Sequence, residues 1–428
     1  MIKKIFLTLL ALAVLVAIAA GVYAWQSLKP TVASSSTIYL VPVYGQSLAL
    51  GEETTLLTDY DSLTAACGHR LLGCELNEQK GYFHHESMMK QRLKLLLRSK
   101  NRLFETSCYM LGATLIDSLR QHGDEVSYVC TFQAGVGTTG IDGMKKGTPA
   151  YEKFLGQLRG IAATAKNKGC KVVFPAFCWV QGETDLTGST DEGYAERLQQ
   201  FRADLEADAK EIFAGQQDLF GGAEHLSCIL YQTSSLAIAE DGFKPLQYES
   251  HLMLVPDAQR KLISTDTLFL ASTPVYRYDV MREYVHIDNK GQQSLGRYEG
   301  RAVADLVLNG KRDKGLQCDS VSYNKNMVYI DFATDAAPLQ IDTIDVNKVE
   351  GYGFTVITPS NNNILASVSV EGKSVILTCD SVIMPGYKVR YGLNGQEWKG
   401  GRKSGPRGNI RDAAPLPDYA YIFEETIK

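Results

Sequence analysis

The hydrophobic pattern changes character twice along the chain. Residues 5–28 form a charge-free apolar run preceded by Lys3 and Lys4, and residues 29–36 form a polar linker. Beyond it, short apolar runs alternate with stretches of helical period. Strands are predicted over 37–43, 126–132, 170–180, 226–234 and 266–273, and helices over 88–100, 102–121, 151–167, 191–213 and 289–308. Residues 45–85 read as turn-rich and irregular. Continuously apolar strands separated by helices predict an α/β fold, a parallel sheet covered on both faces, over 37–312. Ligands of such sheets sit beyond the carboxyl ends of the strands.

Near Leu316 the period shortens to two. "SVSYNKNMVYIDF", "LASVSVEG", "KSVILTCD" and "KVRYGLNG" alternate apolar and polar positions between Asn, Gly and Asp breaks. A small all-β, sandwich-like accessory domain is expected over 315–400. The Gly/Pro/Arg-rich residues 401–428 are expected to be a tail, either docked as a loop or disordered.

The leader at 1–28 has two readings. Val22-Tyr23-Ala24 suits cleavage of an export signal, and 5–28 is also long enough for an uncleaved membrane anchor. Both readings place the rest of the chain outside the cytoplasm: secreted, periplasmic, or attached to the membrane and facing outward. Composition adds little: 45% hydrophobic, 21% charged, net charge −4 over 428 residues, with the signs interspersed. That balance argues against nucleic acid as a partner. An oxidising compartment permits disulfides, and Cys67 and Cys74 bracket a short loop, but nine cysteines cannot all pair within one chain. No cysteine or histidine spacing matches a zinc site, so no metal is expected.

Four polar clusters follow strands or precede the last helix. "VPVYGQSLALGEET" stops a strand on Gly45, Gln46 and Ser47; a serine there is either a turn residue or an exposed nucleophile. "QAGVGTTGI" supplies glycines that permit close backbone approach to a ligand. "FCWVQGETD" places Gln181, Glu183 and Asp185 after a strand. The Gln181 amide can stabilise an oxyanion, or Glu183 and Asp185 can be the pair of a glycosidase. "REYVHIDNKGQ" carries His286, with Glu283 three residues earlier and Asp279 and Asp288 as rival orienting acids. His84-His85 is read as a surface loop rather than a metal site. Tyr276 and Tyr278 read as packing rather than a sugar-binding rim. Arg402, Arg407 and Arg411 read as a solvated tail, with contact to an anionic substrate as the alternative.

Taken together, Gly-Gln-Ser, a Gly-rich block, Trp-x-Gln-Gly-Glu-x-Asp and an acid-x-x-His ahead of the last helix resemble the SGNH-hydrolase superfamily. The branch they are most similar to contains sialate O-acetylesterases and acetylxylan esterases. The resemblance implies an SGNH-type three-layer fold over the α/β region. It implies Ser47 as nucleophile, His286 as general base and then acid, and Glu283 as its orienting acid. The oxyanion hole it implies consists of the Ser47 and Gly137 N–H groups with the Gln181 side chain, and Glu183 supports the site. It implies no cofactor and an acetylated carbohydrate or glycan as substrate. The chain departs from the pattern where Leu48 and Ala49 follow the serine, where Glu283 stands for an aspartate, and where Val136 separates Gly135 from Gly137. A glycosidase and a non-catalytic glycan-binding surface protein on an esterase-like scaffold are the competing expectations.

Overall fold

The computed structural model describes residues 33, 35–55, 57–74, 93–95, 104–186, 193–233, 248–283, 285–396 and 399–428. The leader and His84-His85 lie outside the described residues. No helix among the described residues is long and apolar enough to cross a membrane.

The first predicted strand is split into β1 (Thr37–Leu40) and β2 (Val43–Gly45) at Val41-Pro42. Proline has no N–H to give a sheet, so the ladder is interrupted there without being lost. Val41 N and Val43 N donate to the carbonyls of Cys130 and Phe132 at 2.9 and 2.8 Å, and Cys178 N donates to the Pro42 carbonyl at 2.9 Å. After β3 (Leu71–Cys74) and β4 (Leu93–Leu95), the next strands break likewise, as β5 (Tyr128–Cys130) with β6 (Gln133–Gly135), and β7 (Lys171–Val173) with β8 (Ala176–Val180). β9 (Ser227–Gln232) and β10 (Phe269–Pro274) complete one edge. The order across the sheet is β4, β3, β5/β6, β1/β2, β7/β8, β9, β10, parallel except for β4. Chain order reverses direction at β1/β2, which is where such a fold opens a ligand crevice.

Helices cover both faces. After two short ones, α1 (Ser47–Leu50) and α2 (Tyr60–Ala66), come α3 (Ser107–Gln121), α4 (Pro149–Lys168), α5 (Tyr194–Ile212), α6 (Tyr248–Thr265) and α7 (Asn289–Asn309). Leu111, Leu115 and Leu119 of α3 and Leu295, Ala302 and Val303 of α7 bury against Val41, Val43, Cys178 and Ile229. On the other face, Tyr44 stacks on Phe154 of α4 and Phe201 of α5 at 4.6 and 5.4 Å, with Trp179 4.7 Å from Phe201. The expectation of a helix over 88–100 is corrected: Leu93–Leu95 is a strand, antiparallel to β3. A three-residue apolar alternation at a sheet edge has no length in which helical and strand periods can be told apart.

The expected β-part is present. β11 (Cys318–Asn324), β12 (Met327–Phe332), β15 (Leu365–Glu371) and β16 (Ser374–Cys379) form an antiparallel sheet in the order β11-β12-β16-β15. β12 and β16 alternate buried and half-buried positions, turning Val328, Ile330, Val375 and Leu377 inward. The second sheet, β14 (Phe354–Ile357), β17 (Lys388–Tyr391) and β19 (Phe423–Thr426), faces that core with Phe354, Val389 and Phe423, while β13 (Gln340–Ile341) pairs with β18 (Ile410–Arg411). Residues 401–428, expected as a tail, thus supply two strands and the short helix α8 (Gly401–Ser404). They also join the two parts: Ile422 exchanges bonds of 2.7 and 2.9 Å with the side chain of Gln232, at the end of β9.

Candidate active site

Three adjacent parallel strands deliver the first three polar clusters to one place. Gly45, the last residue of β2, is in register with Gly135 of β6 on one side and Val180 of β8 on the other. The chains leaving these strands carry Ser47, Gly137 and Gln181. The glycines are required by how closely the strands end. A Cβ on Gly45 would lie 1.9 Å from the Val180 carbonyl oxygen, and one on Gly135 would lie 1.6 Å from that of Gly45. Thr138, next to Gly137, has φ +52°, a conformation costly for a β-branched residue and characteristic of constrained functional loops. Ser47 opens α1 and is 5% exposed. The Gln46 side-chain carbonyl accepts from the Thr184 N–H at 3.3 Å, tying the turn of Ser47 to the Gln181–Asp185 loop.

The fourth cluster is brought to the same edge by a run of bonds along α7. Gln292 Nε2 donates to the Leu48 carbonyl at 2.8 Å. Asn289 exchanges bonds with Thr55, its Nδ2 donating to the backbone carbonyl at 2.5 Å. His286 Nδ1 lies 2.8 Å from Glu53 Oε2. The segment just after Ser47 is therefore laid along the segment that begins at His286. Both His286 and Glu53 keep some solvent access, with 21% and 32% of their side chains exposed.

Glu53 is the residue that the sequence did not disclose. The expected partner of His286 was Glu283. Its backbone sits in the turn Met281–Glu283, where Arg282 has φ +52°, and its side chain lies outside the described residues. The two rivals are engaged elsewhere. Burial works to raise the Asp279 carboxyl, but Arg402 and Lys403, at 2.8 and 3.0 Å, prevail and hold it below its usual range. Asp288 caps α7 by accepting from Gly291 N, and burial raises it. The available clue was Glu52-Glu53 close behind the serine, which says nothing of a partner 233 positions away.

Gln181 is fully buried, and its amide is in use. Its Nε2 donates to Asp185 and, at 3.3 Å, to the Thr139 carbonyl; its Oε1 accepts from Tyr194 OH at 3.0 Å. Tyr194 is itself held by Trp179 Nε1 at 3.0 Å, so the tryptophan of this block acts through the tyrosine. Glu183 turns into the protein, where it accepts from Tyr231 at 2.5 Å and from Thr233 at 2.6 Å. Burial raises its carboxyl; Thr233, Tyr231 and the charge of nearby His286 work against that. Burial also raises Asp185, which accepts from Ile141 N at 3.0 Å. The two carboxylates proposed for a glycosidase thus take separate interior bonds. The Glu52 carboxylate lies over Gly137, 2.6 Å from where a Cβ would stand.

Other candidates are taken up in packing and in internal bonds. Tyr276 and Tyr278 are buried. Arg402 binds Asp279, Arg407 is buried on the Asn347, Lys348 and Gly405 carbonyls, and Arg411 faces Asp342, so all three organise the docked C-terminal segment. Cys67 carries a free, buried thiol. Among the described residues no cluster of three or more His, Cys, Asp or Glu suits a metal ion.

No family model matches the sequence, and no curated protein matches it. Solved structures do. A carbohydrate acetylesterase from Xanthomonas citri superposes with a TM-score of 0.60 at 14% identity, covering 91% of this chain and 80% of that one. NanS gives 0.43 at 10% identity, over 65% and 99% of the two chains. A protein from Arabidopsis thaliana gives 0.41 at 14% identity, over 63% and 97%. At such identities the likeness is one of fold, and the first of the three carries it. The molecule has the expected α/β fold, a parallel sheet covered on both faces, followed by a small all-β part.

Proposed function

We propose that this protein is a serine esterase that removes acetyl or other O-acyl groups from carbohydrates. The observation that carries the reading is the docking of residues 48–55 along His286, Asn289 and Gln292, at the carboxyl ends of the strands. It holds the turn of Ser47 and the segment of His286 against each other. The carbohydrate acetylesterase with the same fold supports the substrate class.

In the proposed cycle, His286 Nε2 accepts the Ser47 proton as the serine oxygen attacks the ester carbonyl. The oxyanion forms against the N–H groups of Ser47 and Gly137 and against Gln181. Gln181 turns one amide N–H from the Thr139 carbonyl, the longer of its two bonds, to the oxyanion, while Asp185 retains the other. His286 then protonates the departing sugar oxygen. Water repeats the sequence and releases the acid. Glu183, interior and bonded to Tyr231 and Thr233, supports the edge of the sheet. The proposed location is outside the cytoplasm, with the leader either removed or retained as an anchor.

Two measurements test this reading together: acetate released from a panel of acetylated glycans, and labelling by a serine-reactive phosphonate. Release of acetate with the label on Ser47 is expected. Glycosidic cleavage without labelling, or glycan retention on an affinity column without turnover, would replace the reading with one of its competitors.

A further inference from the structure

Resting on that reading, we infer that Glu53, from the loop just behind the nucleophile, is the acid that positions His286. The primary observation is the 2.8 Å contact between Glu53 Oε2 and His286 Nδ1. A carboxylate there fixes the Nδ1–H tautomer and leaves Nε2 to accept the serine proton. The second is the backbone that brings it there. Glu53 has φ +66°, following Gly51 at φ +70°. A glutamate held in the left-handed region costs free energy that an ordinary turn avoids by using glycine or asparagine. That conformation is maintained by its surroundings: Thr54 Oγ1 bonds to the Gly51 and Glu105 carbonyls at 2.6 and 3.1 Å, and the Glu105 carboxylate receives the N–H groups of Leu57 and Thr58 at 2.8 and 2.9 Å. Glu105 is fully buried, so the turn is anchored in the core while its carboxylate tip reaches His286.

Around the imidazole, Glu53 is flanked by Arg282, whose guanidinium lies 3.5 Å from Glu53 Oε1. Asp279 and Asp288, on either side in sequence, are bound to Arg402 with Lys403 and to the start of α7. In this arrangement nucleophile and acid come from one short stretch, Ser47 to Glu53, and the base comes from a segment 233 positions further along the chain. The position three residues before the histidine then need not supply the acid.

The test is Glu53→Gln in the full chain, read in two ways. An amide retains the size but can donate to Nδ1 and reverse the tautomer. Nitrogen NMR of His286 is expected to show the Nδ1–H form in the parent and its loss in Glu53→Gln, with Glu53→Asp retaining part of it. On an activated acetyl ester, kcat is expected to fall by about 10²–10⁴-fold with KM within about threefold, since a positioning acid acts on the reacting state rather than on substrate binding. An unchanged tautomer and kcat in Glu53→Gln, or those changes in Glu283→Gln instead, would overturn the assignment. If Ser47→Ala leaves ester hydrolysis intact, the esterase reading fails, and the NMR arm still decides whether Glu53 holds His286.

Discussion

Gln292 and Leu48 are joined by a 2.8 Å bond from the glutamine amide to the backbone carbonyl of the residue after Ser47. It is buried, spans 244 positions, and fixes the first turn of α1 to the first turn of α7. Gln292→Ala removes the shorter of two bonds to that carbonyl, which still accepts from Gly51 N at 3.3 Å, so less is lost than the about 1–3 kcal/mol of a buried group left with no partner. The glutamine's own oxygen is buried without a bond partner, so removing it offsets part of the loss and puts the expected cost near the lower figure. Urea unfolding should show a destabilisation of about 1 kcal/mol, and ester hydrolysis should decline with it. A variant equal to the parent in both would show that this bond does not hold the site together.

Gly45→Ala tests the closeness of the strand ends. The added methyl would stand 1.9 Å from the Val180 carbonyl oxygen, a backbone atom that cannot move without displacing β8. Loss of soluble folded protein is expected, judged by yield and circular dichroism. A folded, active alanine variant would contradict the geometry of the crevice.

The architecture could be read from the chain because it rests on local periodicity. Five apolar runs became the strands of the parallel sheet, three of them each broken in two, and polar clusters beyond their ends met where parallel strands in register must end. What stayed hidden depends on contacts between distant residues. Glu53 and His286 lie 233 positions apart, and nothing near either names the other. α6 was not anticipated, and Pro256 interrupts its pattern; within the helix, the Pro256 carbonyl accepts from Gln232. Residues 401–428 are rich in glycine, proline and arginine, yet become strands because β17 offers an edge and Gln232 a pair of bonds.

Ending the chain at Gly400 tests that last point. It removes β18 and β19, exposes the edge of β17 and leaves the buried Gln232 amide without Ile422. Low soluble yield, or a clearly lower Tm for the whole molecule, is expected. A truncated protein with the parent's Tm would mean that the segment is dispensable.

Glu299, on the buried face of α7 near the start of α3, predicts a pH dependence of stability. Burial pushes its carboxyl from the ordinary 4.5 up to about 8, against a smaller opposing effect of Ser107. Between those two pH values the folded protein retains a proton that the unfolded chain has lost. This group therefore makes stability fall as pH rises from about 4.5 to about 8, with no further change above that range. Denaturant midpoints measured across this range should decline less steeply in Glu299→Gln, which should also be the more stable protein at pH 8. Parallel profiles for variant and parent would contradict the assignment.

If the Ser47 hydroxyl is the nucleophile of an ester hydrolase, its loss shows in kcat of Ser47→Ala on p-nitrophenyl acetate. A fall of several orders of magnitude, with the fold intact by circular dichroism, is expected; hydrolysis at the parent's rate would mean that Ser47 is not the nucleophile.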